Sequence, residues 1–223
     1  MDGSTRVVVA DPHAVVRLGV AAAVEAAEGL AMADEAGTIE QMMKAMASGM
    51  CDVLVTELSF QGLEGLEAIK TIKARHPMTG VLVFTAQDEL LFAERSIGAG
   101  ARGYLMKSVA ASKLIDGIRA VARGKVAVSP AVAQRMMASG PGGVGARGRR
   151  STHGIDSLSD RELEVLSLLG AGQPTREIAK HLHLSVKTID TYRDNLKHKL
   201  GLDNATQLIR YAVRFSLQGG ASS

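Results

Sequence analysis

Four short apolar runs punctuate the first half of the chain, and each stops at a polar residue. Val7-Val8-Val9-Ala10 ends at Asp11, Val53-Leu54-Val55-Thr56 at Glu57, Val81-Leu82-Val83-Phe84 at Thr85, and Gly103-Tyr104-Leu105-Met106 at Lys107. Each run is too short for a helix and apolar without alternation, the pattern of parallel strands buried on both faces. Helical patterns separate the runs, so the first half predicts an open α/β sheet. Ligand sites of such sheets lie outside the carboxyl ends of the strands. Asp11, Glu57, Thr85 and Lys107 are therefore expected to converge at one end.

The pattern changes after residue 125. Ser129-Pro130 reads as a helix start leading into Ala131 to Ala138, with Val132 and Met136 on one face. Ser139 to Gly154, SGPGGVGARGRRSTHG, has no periodicity and the composition of a flexible linker. Its Gly143-x-Gly145-x-x-Gly148 matches a dinucleotide fingerprint only formally, because no strand precedes it and no amphipathic helix follows. Domain boundaries are accordingly placed at 1–125, 126–155 and 156–223.

Beyond the linker the period is helical throughout. Ser159-x-x-Glu162 is a capping box opening a helix with Leu163, Val165, Leu166 and Leu169 as its apolar positions. A second helix is predicted over about Thr175 to Leu182, and the turn at His183-Leu184 leads to Ser185, an N-cap for a third. Two short helices joined by a tight turn form a helix-turn-helix. On the third helix Ile189, Leu196 and Leu200 share one side, with Lys187, Asp190, Thr191, Asp194, Lys197 and His198 on or near the other, and Gly201 supplies the stop. A last helix, about Ala205 to Leu217, carries the stripe Leu208, Ile209, Ala212 and Val213.

Composition narrows the class. At 223 residues and 46% apolar content the chain can fill two cores, and its single cysteine, Cys51, rules out an internal disulfide. With no signal-like start and no long apolar span, a cytoplasmic protein without membrane contact is expected. Residues from Gly140 onward carry 12 Lys and Arg against 8 Asp and Glu, while the rest carries 14 against 15. That asymmetry is compatible with a polyanionic partner for the second half, although three of the positive charges, Arg147, Arg149 and Arg150, lie in the linker. Cys51 reads as a small residue at the edge of the core. The ten methionines read as core and interface filler. His181, His183 and His198 have no metal-ligand spacing. No nucleophile-base pair or intact metal site is present, so neither an enzyme nor a cofactor is expected.

An acid after the first strand, a carboxylate after the third, a hydroxyl after the fourth and a lysine after the fifth resemble the pattern of receiver domains over roughly residues 5–123. Tyr104, three residues before Lys107, matches that family's aromatic switch position. The resemblance implies a doubly wound, five-stranded parallel α/β sheet of the flavodoxin-like kind. It also implies that the third-strand carboxylate accepts a phosphoryl group, that an acidic pair helps hold Mg²⁺, and that the hydroxyl and lysine read the phosphoryl oxygens.

Here the pattern is broken at the acceptor itself. The acidic pair reads Asp11-Pro12, the acceptor is Glu57, and the usual Met-Pro a few residues later reads Phe60-Gln61. Mg²⁺ is normally held by one or two carboxylates with phosphate and water, and Pro12 removes one of them. Glutamate carries its oxygens about 1.5 Å further out than aspartate, and in-line transfer loses roughly 10²-fold for a 1 Å misplacement. Phosphotransfer is expected to be poor or absent. Two readings follow. Either Glu57 pairs with Lys107 and holds the receiver in one state, or Glu57 is a tolerated variant and another surface does the work.

The tail segments LSDRELEVLSLL, REIAKHLHLSVKTIDTYRDNLKHKLGL and ATQLIRYAV resemble the LuxR-type DNA-binding domain, a separate all-α domain of four helices. With the receiver, the whole chain resembles a response regulator of the NarL/FixJ type. The resemblance implies double-stranded DNA as partner, with Lys187, Thr188, Tyr192, Arg193 and Lys197 available for phosphates and Asp190, Thr191 and Asp194 aimed at base edges. Acids there can accept from cytosine N4, or are solvated and paired with Lys187, Arg193 or Lys197. In the LuxR family the last helix also builds the dimer contact, which would place Leu208, Ile209, Ala212 and Val213 there or in the core, and a homodimer is expected. The expectation is a transcription regulator switched by something other than phosphate, such as a protein partner, a small ligand at the receiver or dimerisation itself. A conventional phosphorylated regulator and a protein-interaction module that does not bind DNA are the alternatives.

Overall fold

The computed structural model describes residues 3–60, 63–138, 154–182 and 184–219, with the side chains of 63, 64, 156 and 217–219 excepted. The linker residues 139–153, with the fingerprint-like glycines and the three linker arginines, lie outside them, as do Gln61 and His183. The chain divides into two compact units, Met1–Gly145 and Ala146–Ser223.

The first unit is built on β1 (Thr5–Ala10), β2 (Leu30–Ala36), β3 (Val53–Thr56), β6 (Gly80–Thr85) and β7 (Gly103–Met106). They form one parallel sheet in the order β2-β1-β3-β6-β7. A parallel sheet needs crossovers, supplied by α1 (Ala14–Glu25), α2 (Ile39–Ala47), α3 (Gly65–Arg75), α4 (Glu89–Gly98) and α5 (Ala111–Ala122). Successive strand residues point to opposite faces. Val7, Val9, Val53, Val55 and Leu82 thus pack with Val20 and Val24 of α1 and Leu114, Ile118 and Val121 of α5. Val8, Leu54, Val81 and Val83 are equally buried, and α2, α3 and α4 serve that opposite face with Met42, Met46, Ile69, Ile72 and Phe92.

Three features of this unit were not visible as apolar runs. The edge strand β2, LAMADEA, is mostly half-exposed and mixes alanines with acids, as an edge strand can. After β3 the chain makes a small antiparallel hairpin of β4 (Ser59–Phe60) and β5 (Leu63–Glu64). It returns so closely that a Cβ on Gly65 would collide with the backbone of Leu58. Finally, the chain after residue 125 continues the packing of this unit. Ala127 bridges to Gly103 beside β7, its carbonyl accepting from the Tyr104 amide at 2.8 Å. The helix α6 (Pro130–Ala138) then packs on α4 through buried Val132. Ser129 Oγ donates to Glu89 at 2.8 Å, and Arg135 donates to the Leu90 carbonyl at 2.9 Å and pairs with Glu94 at 3.0 Å.

The second unit holds a 3₁₀ turn (Ile155–Ser157) and four helices, α7 (Asp160–Gly170), α8 (Thr175–His181), α9 (Val186–Leu200) and α10 (Ala205–Gly219). Local chemistry sets their ends. Ser159 and Glu162 form both bonds of the capping box. Ser185 Oγ accepts from the Thr188 amide at 3.0 Å, and Gly201 closes α9 in the left-handed region at φ 66°. Leu163, Val165, Leu166 and Leu169 of α7, Ile178 of α8, Ile189 and Leu196 of α9, and Leu208 and Ala212 of α10 are all buried. α7 and α10 pack so closely at Gly170 that a Cβ there would meet Ser216 and the Ala212 carbonyl. Among the described residues no helix is long and apolar enough to cross a membrane.

Candidate functional site

The ends of β1, β3, β6 and β7 bring the four expected polar residues together. Asp11, Glu57 and Thr85 are buried, and the Lys107 side chain reaches them with 18% of its surface exposed. Glu57 bends over the strand ends and divides its two oxygens. Oε1 accepts from the Leu58 amide at 2.6 Å, from the Ser59 amide at 3.3 Å and from the Thr85 hydroxyl. Oε2 meets Lys107 Nζ at 2.5 Å. The same ammonium lies 2.5 Å from Asp11 Oδ2. Asp11 Oδ1 accepts from the His13 amide at 2.8 Å and faces the His13 ring at 3.1 Å.

Lys107 thus bridges two buried carboxylates. Burial of the ammonium pulls its pKa down, but hydrogen bonds to Asp11 and Glu57 outweigh that cost and leave it raised, so Lys107 is charged at neutral pH. One oxygen of each acid ends on this internal cation, and Pro12 offers no carboxylate. A Mg²⁺ ion held by these two acids would have to take their oxygens from Lys107. Among the described residues no group of three or more His, Cys, Asp or Glu side chains could hold a metal.

A second layer surrounds this pair. Tyr104 is fully buried, its hydroxyl donating to the Gln87 carbonyl at 2.9 Å. Burial, with Glu57 and the acids Asp88 and Glu89 nearby, holds the phenol well above its ordinary range, so it stays a donor. The Gln87 amide donates to Thr85 Oγ1 at 3.2 Å, and its side chain donates to Ser59 at 3.1 Å, joining the loop after β3 to the loop after β6. Gln87 and Ser59 were not singled out in the sequence. Polar loop residues carry no periodic signal, and only their distance from Thr85 and Glu57 along the chain could have pointed to them.

In the second unit Lys187, Asp190, Thr191 and Asp194 are exposed on α9, with Thr188, Tyr192, Arg193 and Lys197 half-buried. Asp194 pairs with Lys197 at 2.9 Å. Arg193, one of the residues expected to be available for phosphates, donates to Thr175 Oγ1 of α8 at 2.5 Å. The stripe on α10 is divided. Leu208 and Ala212 are fully buried in their own domain, while Ile209 and Val213 are 38% and 39% exposed. The exposed pair stands one residue along from the buried pair, a turn of about 100° around the helix. His181 and His198 are exposed.

Comparison with known proteins bears on both units. Residues 7–119 match the response regulator receiver domain, and residues 156–212 match the luxR family of bacterial regulatory proteins. The oxygen regulatory protein NreC of Staphylococcus carnosus is 30% identical over 213 residues, 95% of this chain and 98% of that one. The response regulator UvrY of Escherichia coli K12 is 29% identical over 211 residues, covering 95% and 94%. Among solved structures, RcsB from Salmonella enterica serovar Typhimurium, bound to the rprA promoter in the presence of the phosphomimetic BeF3-, is similar. Its TM-score is 0.62 at 26% identity, with 94% of this chain and 99% of that one covered. A structure of two RcsB dimers on two parallel DNAs gives a TM-score of 0.56 at 26% identity, covering 96% and 99%. The chain therefore belongs to the two-component response regulators that carry a receiver domain followed by a luxR-family DNA-binding domain.

Proposed function

We propose that this regulator binds double-stranded DNA as a homodimer and that its receiver works without phosphorylation. The carrying observation is the division of the Glu57 carboxylate between the Thr85 hydroxyl with the Leu58 amide on one side and Lys107 on the other. Of these donors, the hydroxyl and the lysine are the groups that read phosphoryl oxygens in receivers. In this chain they are already satisfied by a carboxylate, which supplies a fixed negative charge, although with fewer oxygens and less charge than a phosphoryl group. With Thr85 turned to Glu57 and Tyr104 buried behind it, the receiver is held in one arrangement. Asp11, Pro12 and Lys107 leave no acidic pair for Mg²⁺.

DNA binding rests on α9. Its exposed Lys187, with Thr188, Tyr192 and Lys197, is offered to phosphates, and Asp190, Thr191 and Asp194, exposed on the same helix, to base edges. Ile209 and Val213 form the apolar part of the dimer contact. Input to such a receiver comes from a protein partner, a small ligand at the strand ends or dimerisation.

Incubation of the full chain with a small phosphodonor and Mg²⁺, followed by intact mass measurement, tests the receiver. No adduct is expected, and a stoichiometric phosphate adduct would overturn the reading. The conventional phosphorylated regulator is the second reading, favoured by the presence of Thr85, Tyr104 and Lys107 and by the regulators this chain resembles.

A further inference from the structure

The short helix α8 is tied down from both sides. At its last turn the carbonyl of Leu182, its C-cap, accepts from Arg161 of α7 at 3.0 Å. Arg161 is buried and held in turn by Glu164 at 2.6 Å, so this tether belongs to the interior of the fold. At the first turn the Thr175 hydroxyl accepts from the Arg193 guanidinium at 2.5 Å. That end has no side-chain cap of its own, because its N-cap is Pro174.

Arg193, like Lys199, is turned toward a neighbouring helix, whereas Lys187 is exposed. Helical spacing sets Arg193 beside the buried stripe of Ile189 and Leu196, on the flank that faces α8, while Lys187, Asp190 and Asp194 stand around the exposed side. A guanidinium is planar and directional, so a bond from it fixes orientation as well as distance. Hydrogen bonds to base edges weaken quickly with small displacements. Whatever sets the angle between α8 and α9 therefore sets which bases α9 can read.

We propose that Arg193 is a positioning residue for DNA recognition, holding Thr175 so that Asp190, Thr191 and Asp194 meet the base edges in register. The proposal rests on the DNA-binding reading above. It separates Arg193 from a phosphate-contacting cation, because the two roles differ in salt dependence. A lost phosphate contact lowers the slope of log K against log salt by about 0.9. A lost positioning contact leaves the slope alone and weakens the matched sequence more than an unrelated one.

The test uses the full chain and two probes, a duplex that the wild type enriches from a random pool and a shuffled duplex of the same composition. Arg193→Ala is expected to lose about tenfold on the enriched duplex, the worth of one charge-assisted hydrogen bond. On the shuffled duplex it should lose no more than about twofold, with the salt slope unchanged. Thr175→Val, which keeps the shape and removes the acceptor, should match it, and the double variant should lose no more than either single one. Arg193→Lys, which keeps the charge without the fork, should fail to restore affinity. Equal losses on both duplexes, or a slope lowered by about one with Thr175→Val neutral, would overturn the proposal. If the wild type enriches no duplex at all, the DNA-binding reading itself falls.

Discussion

Lys107 and Lys197 each sit against a carboxylate, yet the two ion pairs live in different media. Lys107 bridges Asp11 and Glu57, whose side chains are 2% and 6% exposed. Lys197 meets Asp194 on the surface of α9, where the acid is 73% exposed. Lys199 and Glu162 lie between these extremes, with side chains 34% and 4% exposed. Water and salt compete for the surface pair and are largely excluded from the buried one. The same two residue types therefore fix a pocket in one domain and remain available to a partner in the other.

The sharpest way to break this contrast is Lys107→Ala. It leaves two buried carboxylates without their cation, and denaturant unfolding should show a loss of about 3–5 kcal/mol at neutral pH. A cost below about 1 kcal/mol would mean that the pocket is as wet as the surface.

The intermediate pair is read through pH. Burial pushes the Glu162 carboxyl up, but bonds from Lys199 and Ser159 outweigh it and hold the pKa below its ordinary range. A depressed folded pKa contributes stability that is fully present above the unfolded value, about 4.3, and is lost as pH falls through the folded one. Thermal unfolding followed downward from neutral pH should show that loss in the wild type. Glu162→Gln should start about 1 kcal/mol lower and lack this part of the acid limb, since its amide does not titrate. An unchanged acid limb would remove Glu162 from the series.

The smallest effect belongs to Lys197→Ala. The stability change should stay below about 0.5 kcal/mol and vanish in high salt. The same unfolding experiment measures it, and a cost as large as that of Glu162→Gln would erase the distinction between the surface and half-buried pairs.

Legibility followed the same physical divide. β1, β3 and β6 were readable because a strand buried on both faces has no choice but an apolar run whose polar successor marks the sheet's end, and β7, at the other edge with Leu105 and Met106 half-buried, because its run is apolar all the same. β2 was not, since an edge strand with exposed acids has no such constraint. The helix ends at Ser159, Ser185 and Gly201 were readable because capping is settled within three or four residues of chain. On α10, apolarity alone could not separate Leu208 and Ala212 from Ile209 and Val213, because an amphipathic stripe includes its own margins. The docking of α6 on α4 joins Ser129 to Glu89, 40 residues earlier, and no local pattern reports that.

From the sequence alone came the strand ends that gather Asp11, Glu57, Thr85 and Lys107, the glutamate at the acceptor position, and a tail whose caps and apolar spacings specify four helices. Each is set by a local period or by the direction of a strand. Tertiary structure decided which oxygen of Glu57 faces Thr85 and which faces Lys107, that Tyr104 closes on Gln87, and that Arg193 turns to Thr175. Those choices depend on distances between side chains far apart in the chain, and a difference of one bond length decides them.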